Sequence, residues 1–403
     1  MRAGWEIVKL DEVISFERGL TYAKGDEVAF SSVGVLRSNN VDLTTQSLNL
    51  DEIKYLREDF EVPSKKKVRK SSLLMCMSNG SKDHLGKVAL IDRELDYAFG
   101  GFMGLLTPDE GKVFPKYLYY ALASKSFKDY IHSLADGANI NNLKYKDLAA
   151  FDILLPSLAE QQRIVDILDQ EFAKIDALKA NAEKSLQAAK DLFQATLKKE
   201  LEPKEGWETS SLSSIGKTAT GTTPSTSNKE NYGSFIPFIK PADVNVDGKG
   251  ALCYDNEGLS DIGASRGRVF PENSILMVCI GASIGKVGYS LRPVSSNQQI
   301  NILSPGKEFY WKYIYYCMAS GDFQQKVIKE GESAKATLPI INKSKWERLT
   351  ISSPGITEQE RIASRLDDLN NKCQALQDNY QKTLALCDDL KQSLLRKAFN
   401  GEL

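Results

Sequence analysis

The chain has 403 residues, 42% of them hydrophobic and 26% charged, a composition typical of a globular protein with two or three domains. No apolar run approaches the ~18 residues of a membrane-spanning helix. The first residues also lack the apolar stretch of a signal peptide, so we expect a cytoplasmic protein. The net charge of −1 excludes an overall basic field. A nucleic-acid partner would therefore require local basic patches or charge supplied by another subunit.

The cysteines and histidines do not form a metal-binding pattern. The chain has only two histidines, His84 and His132, and none of its cysteines belongs to a C-x-x-C pair. The six cysteines are Cys76, Cys253, Cys279, Cys317, Cys373 and Cys387. Structural zinc sites need four such ligands at close spacing. We therefore expect free thiols and no metal ion.

The chain is a tandem repeat, because six sequence blocks recur in the same order. Between the first and the second block, Gly19 aligns with Gly221. The blocks are Gly4-Trp5-Glu6 with Gly206-Trp207-Glu208, Leu36-Arg37 with Ile239-Lys240, Ser72-Leu73-Leu74-Met75 with Ser274-Ile275-Leu276-Met277, Gly86-Lys87-Val88 with Gly285-Lys286-Val287, Lys116-Tyr117-Leu118-Tyr119-Tyr120 with Lys312-Tyr313-Ile314-Tyr315-Tyr316, and Glu160-Gln161-Gln162-Arg163-Ile164 with Glu358-Gln359-Glu360-Arg361-Ile362. Chance does not produce such a series, so the chain contains two copies of one unit.

Each copy begins with a predicted head of mixed α/β structure, over residues 1–156 and 203–354. Short apolar strands alternate with segments rich in Gly, Asn and Ser, and the last strand of each head ends at Pro156 or Pro354. The predicted fold class is therefore α+β, with two tandem heads.

A long helix is predicted after each head, within residues 157–202 and 355–403. Ser157 and Thr357 are suitable N-terminal caps. In the second arm apolar side chains recur at the alternating spacing of a coiled-coil seam. These are Ile362, Leu366, Leu369, Cys373, Leu376, Tyr380, Thr383, Cys387, Leu390 and Leu394. The first arm has a less regular series, Ile164, Leu168, Phe172, Ile175, Ala182, Leu186, Ala189, Phe193 and Leu197.

Helices of about forty residues need a partner that covers their apolar stripes. The order head, arm, head, arm allows the two arms to pair antiparallel within one chain, with internal pseudo-twofold symmetry. The alternatives are that each arm packs on its own head or pairs with another molecule. The first arm, from Arg163 to Leu201, is four residues shorter than the second, from Arg361 to Leu403, which predicts a difference of about one helical turn.

No catalytic motif is recognisable. The segment from Gly281 to Lys286 resembles a phosphate loop, but it has three residues instead of four between its glycines, and Val287 stands where Ser or Thr is required. No glycine-rich dinucleotide motif or amino-methyltransferase motif is present. We therefore expect a protein without catalytic residues and without a cofactor.

These features together resemble one family, the DNA specificity (S) subunits of type I restriction–modification enzymes. The resemblance covers the whole chain. It rests on the Gly-Trp-Glu start of each head, the strand that ends at Pro156 or Pro354, the helix starts at 158–164 and 356–362, and the final residues 395–403.

The resemblance implies that each head is a target recognition domain for one half of a bipartite DNA sequence. The helices would set the spacing of the half-sites and dock two methyltransferase (modification) subunits, which carry the adenine-N6 chemistry. Motor-nuclease (restriction) subunits would join them for restriction. Residues expected at the docking surface or in the coiled coil are Gln161, Arg163, Ile164, Leu168, Phe172, Ile175, Gln359, Arg361, Ile362, Leu366, Leu369 and Leu376.

Candidate DNA contacts combine basic residues, for phosphates, with arginine and amide side chains, for base edges. Arg37 and Lys240 share a position of the repeat, as do Lys87 and Lys286. The remaining candidates are Lys65, Lys66, Lys67, Arg69, Lys70, Thr222, Thr223, Arg266, Arg268, Asn297, Gln298 and Gln299. Each also has a structural interpretation, since basic runs often form solvated surfaces and amides often complete loops. Two other functions compete: a coiled-coil scaffold with protein- or sugar-binding heads, and an enzyme with an unrecognised site.

Overall fold

The computed structural model describes residues 4–136, 142–246, 248, 250–332 and 339–403, except the side chains of residues 135, 136 and 332. The chain divides into two compact units. Unit 1 consists of Met1–Asn181 and Thr383–Leu403, and unit 2 of Ala182–Lys382. Each unit therefore contains one head together with a segment of each long helix.

The head of unit 1 contains ten strands and three short helices within the described residues, and the first long helix follows it. The strands are β1 (Glu6–Lys9), β2 (Ile14–Arg18), β3 (Glu27–Val28), β4 (Val33–Leu36), β5 (Lys54–Leu56), β6 (Leu73–Cys76), β7 (Val88–Leu90), β8 (Tyr97–Phe99), β9 (Met103–Pro108) and β10 (Asp152–Leu155). The helices are α1 (Pro115–Ala123), α2 (Lys125–Asp136), α3 (Tyr145–Ala149) and the long α4 (Leu158–Leu201).

The head of unit 2 repeats this order with small changes. Its strands are β11 (Glu208–Ser211), β12 (Gly216–Thr220), β13 (Tyr232–Ile239), β14 (Gly258–Leu259), β15 (Val269–Phe270), β16 (Ile275–Val278), β17 (Val287–Tyr289), β18 (Val294–Ser296), β19 (Ile300–Pro305) and β20 (Thr350–Ser353). Its helices are α5 (Leu212–Ile215), α6 (Asp261–Arg266), α7 (Trp311–Ala319), α8 (Gly321–Glu332), α9 (Lys343–Trp346) and the long α10 (Ile356–Phe399).

The two heads share the order of one four-stranded sheet and of the terminal strand pair, and their second four-stranded sheets differ in one edge strand, β3 in unit 1 and β15 in unit 2. In unit 1 the strand orders are β2-β9-β6-β7, β3-β5-β4-β8 and the pair β1-β10. In unit 2 they are β12-β19-β16-β17, β14-β13-β18-β15 and the pair β11-β20. The parallel pair β4 with β8 corresponds to β13 with β18. The predicted fold class, two tandem α/β heads each followed by a long helix, is confirmed.

The central strands of each head are buried on both faces, which explains their continuous apolar sequence. Every residue of β6 is fully buried. Leu73 and Met75 belong to the core that includes α4, whereas Leu74 and Cys76 belong to the core on the other face of the strand. In β16 the residues Ile275 to Val278 alternate in the same way. The period of two along a strand thus supplies both cores.

A buried glutamine connects the start of each long helix to its head. The side chain of Gln161 is fully buried; its Oε1 accepts from Phe114 N at 2.8 Å, and its Nε2 donates to Lys112 O at 3.0 Å and Pro156 O at 2.9 Å. Gln359 forms the same contacts with Tyr310 N and with the carbonyls of Glu308 and Pro354. These two amides therefore lie inside their own units, and their side chains offer no surface to a docking partner.

A repeated ion pair and hydrogen bond add a second connection in each unit. The Asp169 carboxylate on α4 pairs with Lys116 Nζ at 2.6 Å and accepts from the Tyr120 hydroxyl. Burial, together with this carboxylate, raises the pKa of Tyr120, so its hydroxyl stays protonated and donates. In unit 2, Asp367 of α10 contacts Lys312 and Tyr316 in the same way.

Within unit 1 the two long helices run antiparallel. Asp176 of α4 pairs with Lys391, and Lys179, three residues later, pairs with Asp388, three residues earlier. Arg163 donates to the carbonyl of Leu403 at 2.8 Å. Ile164 and Leu168 share one core with the strands of the head and with Leu395 and Ala398 of α10, so packing on the head and pairing of the arms occur together.

In unit 2 the last turns of α4 share a core with the first turns of α10. Leu197 is buried together with Ile362 and Leu366, and Arg365 pairs with Glu200 at 3.0 Å. Among the other expected arm residues, Ile175 is buried, Phe172 and Leu369 are partly buried, and Arg361 is exposed and bonded to Glu358.

Three expectations about the arms were wrong. Thr357 does not cap the second long helix, because α10 begins at Ile356 and the amide of Gln359 donates to the carbonyl of Gly355. Both long helices have 44 residues, so the four extra residues of the second arm do not lengthen its helix. The helix ends because Gly401 has φ +74° and the amides of Gly401 and Glu402 return to the carbonyls of Ala398 and Lys397, as in a Schellman cap. The expected seam is also incorrect in part, since Leu376 and Leu390 are 43% and 48% exposed.

Of the helices in the described part of the chain, none is both long and apolar enough to cross a membrane.

Replacing Gln161 with Leu tests the connection between head and helix. The substitution removes three hydrogen bonds and leaves buried backbone groups unsatisfied, each of which costs about 1–3 kcal/mol. We expect the free energy of unfolding of unit 1 to fall by about 2–4 kcal/mol, measured by urea denaturation followed by circular dichroism. The neighbouring Gln162 is exposed, so Gln162→Leu should change stability by less than about 0.5 kcal/mol. Equal effects of the two substitutions would contradict this role for Gln161.

Candidate nucleic-acid interface

A turn between two strands is held by the same backbone hydrogen bonds in both heads. In unit 1 it consists of residues 100–102, between β8 and β9, and in unit 2 of residues 297–299, between β18 and β19. The turns are called here the β8–β9 turn and the β18–β19 turn. Gly100 N donates to Leu36 O at 2.8 Å, and Asn297 N donates to Ile239 O at 3.2 Å. Leu36 and Ile239 directly precede the repeated basic residues Arg37 and Lys240, so each turn lies beside a cation.

The repeated glycine of each head permits this arrangement. A Cβ atom on Gly19 would lie 1.9 Å from the carbonyl oxygen of Gly100, and one on Gly221 would lie 2.1 Å from that of Asn297. Both distances are far below van der Waals contact. Only glycine therefore allows the segment after β2 or β12 to approach the turn.

In unit 1 these elements line a cleft of about 1070 Å³ with a basic wall. Arg18, Lys24, Arg37 and Lys87 all line it. The acidic Glu27 in the same cleft is paired with Lys54 at 2.7 Å. The Nε of Arg37 is buried and has no hydrogen-bond partner within the described residues. The cleft therefore combines a net positive charge with an unsatisfied guanidinium donor.

Lys87 contributes to this cleft from a buried position. Its side chain is 5% exposed, and its Nζ donates to the carbonyl of Val41 at 2.7 Å. Burial lowers the pKa of the Lys87 ammonium. The equivalent Lys286 is only partly buried. The two lysines therefore share a position in the repeat but differ in surroundings.

In unit 2 the polar candidates of the sequence gather around the β18–β19 turn. The Thr223 hydroxyl donates to Gln298 Oε1, and Asn297 Nδ2 donates to Gln299 Oε1 at 2.9 Å. The Thr222 hydroxyl is buried without a hydrogen-bond partner among the described residues. Gln298 is exposed. An amide held in this way presents a fixed donor and acceptor to solvent.

The basic candidates of unit 2 differ in how they are held. Lys240 pairs with Glu257. The side chains of Arg266 and Arg268 are exposed, and each donates one bond within the protein, to Asn231 Oδ1 at 2.8 Å and to Thr220 O at 2.7 Å respectively. Arg268 is thereby fixed at the end of β12, next to the turn.

The basic run at 65–70 is not a single patch. Lys66 Nζ contacts Glu17 and the carbonyl of Arg18, and Lys67 pairs with Asp96. Lys65, Arg69 and Lys70 are exposed. Internal pairing thus reduces the free charge that the sequence suggested.

Sequence reasoning did not single out Phe102 or Arg18. Phe102 lies in the β8–β9 turn and lines the cleft with 69% of its side chain exposed. Arg18 Nε lies 3.5 Å from the carbonyl oxygen of Gly101. Alignment of the two copies could have marked Phe102, since it occupies the position of Gln299.

Comparison with known proteins gives a consistent result. The profile of the type I restriction modification DNA specificity domain matches residues 2–188 and again residues 204–385. The chain is 24% identical over 422 residues to the type I restriction enzyme StySPI specificity subunit of Salmonella potsdam, covering 99% of this chain and 89% of that protein. It is also 24% identical over 427 residues to the EcoKI specificity subunit of Escherichia coli K12, with the same coverage.

Two solved structures have the same fold along the whole chain. One, from a study of complex assembly and conformational transition of the type I R-M system, superimposes with a TM-score of 0.80 at 19% identity and covers 100% of this chain and 99% of its own. The HsdS subunit of Thermoanaerobacter tengcongensis gives a TM-score of 0.59 at 18% identity, with coverage of 100% and 98%. With both copies matched by the family profile, the chain belongs to the type I restriction–modification DNA specificity family.

Proposed function

We propose that this chain is the non-catalytic specificity subunit of a cytoplasmic type I restriction–modification complex, and that each head reads one half of a bipartite DNA target. The observation that supports it most is the pair of equivalent turns, held by one backbone frame but carrying different side chains. Two heads that recognise different half-sites need the same backbone conformation at this turn but different side chains, because base edges are distinguished by side-chain chemistry.

In this proposal the heads comprise residues 1–156 and 203–354, and contacts with phosphate and base are divided between two groups of residues. Arg37, Lys65, Arg69, Lys70, Lys87, Lys240 and Lys286 would neutralise phosphates, with Lys66 and Lys67 at the edge of that surface. Arg266, Arg268 and the amides of the β18–β19 turn would reach base edges, with Thr222 and Thr223 beside them. Arginine favours guanine and amides favour adenine.

The helical regions, residues 157–202 and 355–403, would set the spacing between half-sites and bind two methyltransferase subunits. In unit 1 Leu178, Leu386 and Leu390 are 50%, 65% and 48% exposed, and in unit 2 Leu192 and Leu376 are 53% and 43% exposed. Exposed leucines on otherwise polar helices are suited to a protein partner. The equal length of the two helices supports equivalent docking on both units. The methyltransferases would carry the cofactor and the chemistry, and restriction subunits would complete the complex.

Exchange of one head tests the proposal as a whole. The chain is produced with its cognate adenine methyltransferase, and N6-methyladenine is mapped across the host genome. We expect a split motif whose first half changes when residues 1–155 are replaced by those of a related specificity subunit, while the second half stays the same. Methylation that does not depend on this chain would overturn the proposal.

Gln298→Ala tests base reading by head 2. Loss of the amide should relax one position of the second half-site by about 1–3 kcal/mol of discrimination and leave the first half-site unchanged, as measured by methylation of a randomised substrate library. Gln325→Ala, at an exposed position of α8, serves as the control and should leave both halves unchanged. A motif that is identical for wild type and Gln298→Ala would contradict this role.

The double variant Leu386→Asp/Leu390→Asp tests the docking surface of unit 1. Both side chains are exposed, so the fold should persist, whereas a charge at an apolar contact should prevent docking. Native mass spectrometry should detect one bound methyltransferase instead of two. Leu291→Asp, which is also at an exposed leucine (54%), should retain two. Retention of two subunits by the double variant would place the docking surface elsewhere.

A further inference from the structure

From the geometry of the β8–β9 turn, and resting on the proposed function, we infer that Phe102 is a specificity-determining residue of head 1. Its ring inserts as a wedge at a base step of the first half-site in duplex DNA. The equivalent residue of head 2, Gln299, has no such ring. The two heads therefore read their half-sites by different physical means, stacking in head 1 and hydrogen bonding in head 2.

Phe102 projects from a fixed backbone. Its carbonyl oxygen accepts from Met77 N at 2.9 Å and from Ser78 N at 3.1 Å, and the turn is closed by Met103 N donating to Gly100 O at 2.8 Å. The ring is nevertheless 69% exposed. Because the backbone is already fixed, only the two side-chain torsions of Phe102 have to be ordered on binding, which suits it to act as a wedge between bases.

The charge around Phe102 favours DNA as the occupant. Arg18, Lys24 and Arg37 line the same cleft, and Glu27, the acidic residue of its lining, is neutralised by Lys54. An apolar partner surface would leave these cations without a counter-charge, whereas phosphate oxygens could accept hydrogen bonds from them. Apolar residues flanked by cations are the arrangement by which proteins open base steps.

If Phe102 inserts as a wedge, head 1 should prefer certain base steps in the DNA without forming a hydrogen bond to a base through Phe102. Pyrimidine–purine steps unstack and kink more easily than other steps, so the first half-site should contain one at the position that Phe102 contacts. In head 2 the Asn297 amide holds Gln299 Oε1 at 2.9 Å. That turn carries three amides and can discriminate by donors and acceptors.

The backbone of the β8–β9 turn in head 1 can carry the side chains found in the β18–β19 turn of head 2. A Cβ atom on Gly100 would meet its nearest neighbour at 3.6 Å, and one on Gly101 would meet the Leu20 carbonyl oxygen at 3.3 Å. Neither glycine has a positive φ angle. The triple variant Gly100→Asn/Gly101→Gln/Phe102→Gln is therefore expected to fold with only small local shifts.

The experiment uses the full chain in complex with its methyltransferase and the DNA motif mapped for the wild-type complex. Phe102→Ala should weaken binding of that duplex roughly 5- to 150-fold, while Phe102→Trp should stay within a few-fold of wild type. Replacing the pyrimidine–purine step of the first half-site should weaken DNA binding by the wild-type complex. The same replacement should weaken DNA binding by the Phe102→Ala complex only a little further. Phe30→Ala is the control, since Phe30 is 78% exposed in the same head but does not line the cleft.

Two further readouts separate stacking from charge and from loss of fold. The slope of log affinity against log salt should be unchanged in Phe102→Ala and smaller by about 1 in Arg37→Ala. The triple variant should alter the first half of the methylated motif and leave the second half intact, which also shows that the complex is assembled.

The possible failures can be told apart. If the wild-type chain directs no methylation, the proposed function fails and this inference fails with it. If the wild-type motif is bipartite but Phe102→Ala binds as tightly as Phe30→Ala, only the inference is overturned. The same holds if the triple variant leaves the first half of the motif unchanged.

Discussion

The connection between each long helix and its head depends on one buried amide. Gln161 and Gln359 each satisfy a backbone donor and two backbone carbonyls where a strand, a short helix and a long helix meet. Because the amide is inside the unit, its hydrogen bonds are shielded from competition with water. The long helix therefore leaves the head in a fixed direction in each unit. The Lys–Tyr–Asp contacts about two helical turns later restrain the same joint.

The connection between head and helix is the same in both units, whereas the sequences of the two heads differ at other places. Their central strands are buried on both faces, so core substitutions are restricted to apolar side chains of similar volume. The turns at 100–102 and 297–299 carry no such restriction, because their backbone is held by main-chain hydrogen bonds and by the close approach of Gly19 or Gly221. Side chains there can change from Gly-Gly-Phe to Asn-Gln-Gln without loss of the frame. In the proposed function, this is where two copies of one fold acquire two specificities.

Positive charge is concentrated in one cleft of this protein, although the whole chain is nearly neutral. A net charge of −1 coexists with a cleft lined by Arg18, Lys24, Arg37 and Lys87, because the one carboxylate in that lining, Glu27, is paired with Lys54. Elsewhere in the protein cations lie beside carboxylates. Lys66, Lys67, Lys116 and Lys312 all have carboxylate partners. Interactions between exposed charges are screened over roughly 8–10 Å at physiological salt, so the basic wall of the cleft acts only at short range. In the proposed function, other subunits of the complex would supply part of the DNA affinity.

The sequence by itself determined the duplication, the α/β heads, the two long helices and the family, because each depends on a pattern that is local or repeated along the chain. The candidate DNA contacts remain predictions. Only the tertiary structure decided that Gln161 faces inward, that the helices are equal in length and that Leu376 and Leu390 are exposed, because burial depends on which surfaces meet. It also brought Phe102 beside Arg18 and Arg37, residues far apart in the chain that the fold of the sheets places at one cleft. The helix ends where Gly401 adopts a left-handed conformation, and counting to a matched leucine could not detect that.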